Sequence, residues 1–566
     1  MARRVEEKVV EEKARLHLLP DENLEAVRVH MEPPSLREGE TLITRTESLC
    51  PECLRILPAT VFERDGKVWI RRSCLEHGEI EEIYWGSYEF YTRMSAYAHE
   101  GKGIETPNVL EENPICPMAC GLCNLHSSHT GLANVVLTNR CDLSCWYCFF
   151  YAERAGYVYE PSLKQLKKMF RALREERPVP GNAIQLTGGE PSLRDDVFEI
   201  VKMAREVGIE HVQFNTHGLR LAYEPDFARG LREAGVNTLY VSFDGVTPET
   251  NPKCHWEIPY ALENCRRAGL GVVLVPTVIR NLNLHGLGDI IRFGFRNMDI
   301  IRGVNFQPVS LVGRISREER EKLRVTIPDV LEAIEEQTQG QIQVEDWYTC
   351  PSTSSVTHFV EALTGRPHYE LSVHFTCGVG TYVFRDGEKM TPITRFVDIE
   401  GLFEYLQEKA DELQSGANKR WVELKMLYKL RSFIDSKKTP KGFKLSRILY
   451  NILMRHSYGA LGTFHYDALF LGMMHFMDLY NYDIARVKRC DIHYLSPDGR
   501  IIPFCAFNVM PELYRDKTQK RYGVSIEEWE KHTGKKISSK PYKRDIKGLE
   551  KGEIYKRAYQ GFIPKA

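Results

Sequence analysis

The feature that most constrains the fold is a regular alternation of apolar runs and amphipathic helices between residues 133 and 308. Each apolar run is short enough to be a buried strand, and a stretch with helical periodicity separates it from the next. We predict strands at 133–138, 183–187, 211–214, 238–243, 271–277 and 303–307, and helices at 162–174, 195–207, 226–234, 258–268 and 287–295. Such alternation joins parallel strands through right-handed crossovers. The sequence therefore predicts an α/β fold with a partial (βα)6 barrel of the TIM type.

The chain of 566 residues is long enough for several domains. We predict an N-terminal metal-binding domain (1–110), a core with a preceding cluster segment (111–315) and a mostly helical C-terminal region (316–566). The first domain opens with a charged helix over 5–19 and contains a hairpin whose turn is Asp65-Gly66. In the third, we predict helices at 401–413, 421–434, 445–456 and 465–480.

Charge and hydropathy exclude several classes of protein. The 76 Lys and Arg residues balance 77 Asp and Glu residues, which argues against a uniformly basic nucleic-acid binder. Neither a signal peptide nor an apolar stretch of membrane-spanning length is visible. We therefore predict a cytoplasmic protein that has no nucleic acid as a partner.

Fifteen cysteines in such a chain indicate metal ligation rather than a disulfide framework. Cys141, Cys145 and Cys148 directly follow the first barrel strand, on the face where barrels carry their active sites. Three thiolates in so short a loop can hold three irons of a 4Fe–4S cluster and leave the fourth iron open to a ligand. For this spacing alone, a zinc knuckle is the alternative.

Polar residues close the following strands on the same face. The second strand ends in Gly188-Gly189-Glu190, where the glycines allow close approach and the carboxylate can accept a hydrogen bond from an amine. Asn215 follows the third strand, and the fourth strand ends in Ser242-Phe243-Asp244.

The cysteine spacing, with the aromatic Tyr147 before the last cysteine, and the Gly-Gly-Glu-Pro sequence together resemble the radical S-adenosylmethionine (SAM) superfamily. The resemblance implies that the open iron binds SAM, whose one-electron cleavage yields a radical that abstracts hydrogen from an unactivated carbon. It also implies a small electron donor such as a ferredoxin or flavodoxin. By position, Gly188, Gly189 and Glu190 would hold the methionyl group, and Tyr147, Asn215, Ser242 and Asp244 are further cofactor contacts.

Three other cysteine groups indicate further metal sites. Cys116, Cys120 and Cys123 repeat the spacing before the first strand, so we predict an auxiliary iron–sulfur cluster completed by His126 or a distant cysteine, with zinc as the alternative. The N-terminal group is predicted to bind one zinc or iron ion, and consists of Cys50, Cys53, Cys74 and His77. The last group could close a second auxiliary cluster, and consists of Cys350, Cys377, Cys490 and Cys505.

Two features outside the barrel bear on the substrate. The predicted helix at 465–480 is apolar on most faces and is either a core helix or a wall against a long hydrocarbon. The basic C-terminal tail, with Arg486, Lys488 and Arg489 upstream, is either a solvated surface or a contact with anionic headgroups.

Over nearly its full length, the chain resembles archaeal tetraether lipid synthases in its Cys-Pro-x-Cys, Cys-Pro-x-x-Cys-Gly-Leu-Cys and Arg-Cys-Asp-Ile-His-Tyr segments. That resemblance implies C–C coupling of two isoprenoid chains of archaeal ether phospholipids, at a peripheral position on the membrane surface.

The alternatives are a radical SAM methylase acting on a pterin in methanopterin biosynthesis and a scaffold without turnover. A pterin needs a compact polar pocket, whereas a lipid chain needs a long apolar channel.

Overall fold

A computed structural model describes residues 27–148, 150, 155–312, 317–441 and 468–563 of the chain. The helices predicted at 5–19 and 445–456 lie outside these residues. Among the described residues, no helix has the length and apolar character needed to cross a bilayer.

The N-terminal unit is an antiparallel sheet of four strands in sequential order. Its elements are β1 (Thr41–Leu49), β2 (Ile56–Arg64), β3 (Lys67–Cys74), β4 (Gly78–Trp85) and the helix α1 (Tyr88–Ser95). Asp65 and Gly66 both adopt positive φ angles, of 54° and 73°, in the two-residue turn between β2 and β3. The predicted hairpin is therefore confirmed.

The central sheet contains all six predicted strands, and the intervening helices form where the periodicity places them. The elements of this part are β5 (Leu132–Thr138), β6 (Tyr157–Val158), α2 (Leu163–Glu175), β7 (Ala183–Gly188), α3 (Val197–Glu206), β8 (His211–Thr216), α4 (Leu219–Tyr223), α5 (Pro225–Ala234), β9 (Thr238–Ser242), α6 (Ile258–Ala268), β10 (Val272–Val275), β11 (Thr277–Val278), α7 (Leu287–Arg296) and β12 (Ile301–Pro308). Strands β5, β7, β8, β9, β10 and β12 are neighbours in this order and pair in parallel. The predicted barrel fold is confirmed.

The remaining segment adds helices and also strands. Its elements are α8 (Arg317–Leu323), α9 (Ile327–Gln337), β13 (Tyr348–Thr349), α10 (Ser354–Thr364), β14 (Gly378–Asp386), β15 (Lys389–Pro392), α11 (Ile399–Gln414), α12 (Lys419–Lys429), β16 (Ala468–Met474), α13 (Ile484–Lys488), β17 (Ile492–Leu495), β18 (Ile501–Pro503), α14 (Phe504–Val509), α15 (Arg515–Tyr522), β19 (Val524–Ser525), α16 (Ile526–Thr533), α17 (Ile546–Lys551) and α18 (Glu553–Ala558). Strand β16 pairs in parallel with β12, and β17 pairs in parallel with β5. The parallel part of the sheet is thus two strands wider than predicted.

The prediction of a helix at 465–480 is wrong, because residues 468–474 form strand β16. Leu469, Leu471 and Met473 alternate into the hydrophobic core, while Phe470 lies on the other face against Tyr382 of β14. A strand covered on both faces is apolar on both, so its sequence lacks the period of two that marks a half-exposed strand.

The sheet is strongly curved. Burial raises the pKa of Tyr382 on β14, and electrostatic repulsion from Tyr240 on β9 raises it further, so the two side chains are near each other. Strand β14 is the fourth neighbour from β9 along the sheet, and a flat sheet would separate the two by roughly 19 Å. The outer face packs against the helices through fully buried residues such as Leu186, Phe214 and Val304. The inner face is therefore concave and open to a ligand at the carboxyl ends of the strands.

Candidate active site

The loop that carries Cys141, Cys145 and Cys148 begins directly after β5, and all three cysteines are partly exposed. Backbone amides are directed at two of the sulfurs. The Leu143 N–H donates to Cys141 Sγ at 3.4 Å, and the Phe150 N–H donates to Cys148 Sγ at 3.3 Å. Such donors favour the thiolate form that binds iron.

The Gly-Gly-Glu segment ends β7 beside the start of this loop. Gly188 has a φ of +138°, and a Cβ atom on it would lie 2.2 Å from the Thr138 carbonyl oxygen. A Cβ on Gly189 would lie 2.2 Å from the Arg140 carbonyl oxygen. The Gly189 and Glu190 N–H groups donate to Thr138 O at 2.8 Å and Arg140 O at 2.7 Å. The glycines thus let β7 reach the backbone that leads into the cysteine loop.

The Glu190 side chain is buried, and groups of the protein surround its carboxylate. One oxygen accepts from the Ser192 N–H at 3.0 Å and from Thr216 Oγ1 at 2.9 Å, and the other accepts from the His217 N–H at 2.9 Å. Glu190 therefore joins the end of β7 to the end of β8. Its predicted role as a partner of the SAM amine stays a prediction.

His217 fastens the cysteine loop to the end of β8. Its Nδ1 accepts from the Leu219 N–H at 3.2 Å, so the proton is on Nε2, which donates to Asp142 Oδ1 at 2.6 Å. Burial alone lowers the pKa of His217, but the carboxylates of Glu190 and Asp142 outweigh it and raise the pKa above its usual value. Asp142 lies next to Cys141, so this contact supports a residue of the loop itself.

A second fastening joins the loop to the end of β9. The Tyr147 hydroxyl donates to Asp244 Oδ2, and Lys253 Nζ lies 2.6 Å from the same oxygen and 2.8 Å from the Tyr147 hydroxyl. Asp244 Oδ1 also accepts from the Thr277 N–H at 3.0 Å. Lys253 and Asp244 are both buried, with 9% and 2% of their side chains exposed, so each charge depends on the other.

The structure places the predicted cofactor contacts around the loop. Asn215 lies near the end of β8, where its Nδ2 donates to Thr187 Oγ1 at 3.3 Å. Ser242 ends β9, and its carbonyl oxygen accepts from the Cys254 thiol at 3.4 Å. Both side chains are partly exposed. Their roles, like those of Tyr147 and Asp244, stay predictions.

The N-terminal group forms a compact set of four donors at the ends of the hairpin. Cys50 Sγ and Cys74 Sγ lie 3.5 and 3.4 Å from His77 Nδ1, and Cys53 Sγ lies 3.9 Å from Cys74 Sγ. With Zn–S and Zn–N bonds of about 2.3 and 2.0 Å, a tetrahedral zinc site has donor separations of roughly 3.5–3.8 Å. The four donors fit one zinc ion.

The Cys120 thiol donates to the Pro117 carbonyl oxygen at 3.3 Å, and the Tyr514 hydroxyl accepts from the Cys120 N–H at 3.0 Å. His126 Nε2 lies 2.6 Å from the Cys490 carbonyl oxygen, so this nitrogen of the candidate fourth ligand is already engaged. An auxiliary cluster on Cys116, Cys120 and Cys123 stays a prediction.

The four cysteines that are distant in sequence come into one neighbourhood. Burial raises the pKa of Cys350 and Cys505, and electrostatic repulsion from Cys377 raises both values further. Burial likewise raises the pKa of Cys490, and repulsion from Cys505 adds to the shift. Arg486 Nε donates to Cys377 Sγ at 3.3 Å, which places a cation among these thiols. Their role as ligands of a second auxiliary cluster stays a prediction.

Comparisons with known proteins identify the family. Residues 135–294 match the radical SAM superfamily, and residues 42–86 match the HMPTM N-terminal zinc ribbon domain. A 7,8-dihydro-6-hydroxymethylpterin dimethyltransferase from Methanocaldococcus jannaschii is 43% identical over 500 residues, which cover 86% of this chain and 97% of the relative. The chain belongs to this dimethyltransferase family.

More distant similarities cover less of the chain. A probable GTP 3′,8-cyclase from Methanothermobacter marburgensis is 32% identical over 165 residues, which cover 28% of this chain and 52% of the relative. The solved structure of coproporphyrinogen III oxidase from Escherichia coli has a TM-score of 0.28 and 12% identity, and covers 57% of this chain and 82% of the oxidase.

The residues present fit the cofactors of the superfamily, which are SAM and a 4Fe–4S cluster. Cys141, Cys145 and Cys148 would hold the cluster, and the backbone amides that donate to Cys141 Sγ and Cys148 Sγ suit the thiolates that bind iron. Bound at this loop, the pair supplies a radical that removes hydrogen from an unactivated carbon. The zinc ribbon match and the donor distances assign zinc to the N-terminal site.

The resemblance to tetraether lipid synthases is corrected by this family assignment. With it, the ether phospholipid and the membrane surface are withdrawn as partners. The basic tail does not need anionic headgroups as partners, because it pairs with the barrel: Arg544 contacts Glu257 at 2.7 Å and Lys535 contacts Asp195 at 2.7 Å. Arg486 is buried beside Cys377.

Sequence reasoning missed three residues that support the loop, namely Asp142, His217 and Lys253. A signal existed for His217, which directly follows the last residue of β8 at the functional face. Asp142 lies inside the cysteine motif, but its partner could be found only once β8 had been placed. For Lys253, nine residues after Asp244, the sequence carries no such signal.

Proposed function

We propose that this protein is a radical SAM methylase that acts on a reduced 6-hydroxymethylpterin. The relative that covers most of the chain is named for dimethyl transfer to such a pterin. The observation that carries the proposal is the amide-rich inner face of the curved sheet, because this surface suits a polar heterocycle.

The inner face follows from the alternation of side chains along each strand. Ile184, Leu186, Val212 and Phe214 pack into the outer core, so the residues between them project inward. Most of the inward set carries amide or hydroxyl groups, and consists of Asn134, Gln185, Gln213, Asn215, Tyr240, Ser242, Asn305 and Gln307. Several of these side chains are partly exposed although their strands are central in the sheet, which supports a cavity that solvent or a ligand can enter.

Some of these amides are already linked to one another. Gln185 Nε2 donates to Asn134 Oδ1 at 2.9 Å, and Gln213 Nε2 lies 3.2 Å from His211 Nε2. Burial raises the pKa of Tyr240 to about 12, so the phenol keeps its proton at neutral pH and can donate it. Gln213 Oε1 is a buried acceptor without a partner among the described residues. Such an acceptor fits a ring N–H or an amino group of a ligand.

A pterin presents alternating N–H, carbonyl and amino groups along one edge, and amide side chains match both kinds of group. An alkyl chain offers none, so it would leave the buried acceptor Gln213 Oε1 unpaired, at a cost of about 1–3 kcal/mol. The amide face thus favours a pterin, which can form hydrogen bonds with it, and disfavours a hydrocarbon, which would leave a buried polar group without a hydrogen bond.

The chain's own residues divide the task between them. The amides of the inner face orient the ring beneath the cysteine loop, and the fastenings at His217 and Lys253 hold that loop at the mouth of the barrel. A ring carbon that bears hydrogen must then lie near the loop for hydrogen removal. The electron donor, predicted to be a ferredoxin or flavodoxin, is replaced by dithionite in the assay.

The test is incubation of the reduced, iron-reconstituted full-length protein with SAM and 6-hydroxymethyl-7,8-dihydropterin, followed by mass spectrometry. We expect the pterin to gain one CH₂ in mass for each methyl group transferred. A parallel incubation replaces the pterin with an archaeal diether phospholipid. An unchanged pterin, with or without turnover of the diether, would contradict the proposal, provided that SAM is cleaved in the same sample.

A further inference from the structure

A group of metal-ligating side chains lies outside the cysteine sites, where three distant segments meet. His99 follows α1, His358 belongs to α10, and Glu370 lies in the segment after α10. Their ligand atoms all lie within 4.8 Å of one another. The Glu370 side chain is only 1% exposed, whereas His99 and His358 are 26% and 23% exposed, so an ion could enter from solvent.

One carboxylate oxygen is the centre of this group. Glu370 Oε1 accepts from the Lys102 N–H at 2.8 Å, which fixes the carboxylate. The other oxygen, Oε2, lies 3.3 Å from His99 Nε2, 3.8 Å from His358 Nε2 and 3.0 Å from Lys102 Nζ. Burial alone raises the pKa of Glu370, but the hydrogen bonds from His99 and Lys102 outweigh it and lower the pKa to about 2. Glu370 is therefore an anion that gathers positive charge.

The protonation of His358 follows from its second contact. Gln407 on α11 donates through Nε2 to Asp411 Oδ1 at 2.9 Å, so its Oε1 must be the atom that faces His358 Nδ1 at 2.9 Å. An oxygen acceptor at Nδ1 places a proton there. In the neutral ring, His358 Nε2 then presents a lone pair to the carboxylate. Two lone pairs that face each other repel, unless a proton or a metal ion lies between them.

A ligating histidine held through its other nitrogen is the arrangement found around protein-bound metal ions. Two imidazoles and a carboxylate are ligands that zinc accepts, with water in the fourth position. Lys102 is the competitor for the same oxygen. It has a second carboxylate to pair with, because its Nζ also lies 2.9 Å from Glu361 Oε1. A metal ion can therefore replace the ammonium at Glu370 without leaving it unpaired.

We propose that His99, His358 and Glu370 bind a divalent zinc-type metal ion that is distinct from the ion of the N-terminal ribbon. The ion joins the segment after α1, helix α10 and the segment that leads to Cys377. The proposal is independent of the methylase activity.

The first test measures zinc in the full-length protein after incubation with Zn²⁺ and removal of the free ion. We expect wild type to hold one more zinc ion per chain than His358→Ala. The matched control is His368→Ala, since His368 lies two residues before Glu370 but its Nε2 contacts Thr364 Oγ1 at 2.9 Å instead. Equal zinc content in wild type and His358→Ala would overturn the proposal, and so would an equal loss in the control.

The second test separates a metal site from an ion-pair network and does not depend on a damaged variant. Lys102→Met removes the competitor, so we expect zinc to bind about tenfold more tightly or better. Gln407→Ala removes the group that orients His358 and is expected to weaken binding by about tenfold or more. Isothermal titration with Zn²⁺ measures both changes. If Lys102→Met lowers the melting temperature and leaves zinc affinity unchanged, the group is an ion-pair network and the proposal fails.

Discussion

The zinc ribbon and the cysteine loop of the barrel differ in which residues hold their thiols in place. In the ribbon, four donors from two knuckles lie within one short unit, at separations of 3.4–3.9 Å where they are in contact. In the barrel loop, three cysteines come from eight consecutive residues, and the loop takes its support from His217 after β8 and from Asp244 and Lys253 after β9.

This difference separates a structural site from a reactive one. The ribbon supplies every ligand itself, which closes the coordination of its ion and leaves no position for a substrate. The barrel loop offers three thiols, and contacts from residues after the neighbouring strands β8 and β9 support it. We therefore expect loss of a ribbon ligand to affect zinc binding and folding of the ribbon without affecting the barrel. Substitutions in the barrel around the cysteine loop should instead change the stability of the loop and its binding of SAM.

The largest effect is expected from Cys145→Ala, which removes one cluster ligand. SAM cleavage should be abolished, while the zinc content should stay at the wild-type value because the ribbon is separate. Liquid chromatography of 5′-deoxyadenosine and elemental analysis measure the two quantities. Continued formation of 5′-deoxyadenosine would contradict the assignment of the cluster to this loop.

Cys74→Ser is expected to have the opposite effect from Cys145→Ala on zinc content and SAM cleavage. The ribbon should lose its zinc and a folding free energy on the order of several kcal/mol, because metal binding and folding are coupled in such units. SAM cleavage should continue. Elemental analysis and limited proteolysis of the N-terminal unit check this, and a variant that kept its zinc would show that the four donors do not form the site.

Lys253→Met tests the fastening at β9. It leaves Asp244 as a buried carboxylate without its cation, which is expected to lower the free energy of unfolding by roughly 3–5 kcal/mol. The control is Lys535→Met, whose exposed pair with Asp195 should contribute at most about 1 kcal/mol. Anaerobic urea unfolding compares them. Equal effects of the two substitutions would mean that the buried group does not hold the loop.

The smallest effect is expected from His217→Leu, which removes the donor to Asp142. The cost should be about 1–3 kcal/mol, expressed mainly as a higher KM for SAM and a changed electron paramagnetic resonance signal of the reduced cluster. His217→Gln restores a donor and should recover part of the loss. A decrease in kcat alone, with the KM for SAM and the electron paramagnetic resonance signal unchanged, would contradict a positioning role of His217.

The sequence predicted much of the sheet because six short segments rich in apolar residues alternate with amphipathic helices. It did not reveal β16, since Ala468–Met474 is apolar on both faces and its pattern therefore does not distinguish a strand from a buried helix. It did not reveal that β17 joins the parallel sheet, because nothing in these four residues indicates pairing with β5, which lies 360 residues earlier in the chain.

For the candidate site, too, some features could be predicted from the sequence and others could not. The spacing of the cysteines predicts the ligands, and in the N-terminal ribbon the structure brings the four predicted donors together. Motif spacing says nothing about what fills the barrel, and the lipid interpretation rested only on a resemblance in these motifs. The amides of the inner face become a surface only when strands that are distant in sequence line one face of the sheet, as those of Asn134 on β5, Gln185 on β7 and Asn305 on β12 do.

The most direct test of the pterin assignment compares Gln213→Leu with wild type for two products in one sample, 5′-deoxyadenosine and methylated pterin. Gln213 belongs to the inner face, away from the cysteine ligands. We predict that the substitution leaves SAM cleavage measurable and lowers the methylated pterin formed per 5′-deoxyadenosine by about tenfold or more. An unchanged ratio, or the absence of methylated pterin from wild type, would contradict the assignment.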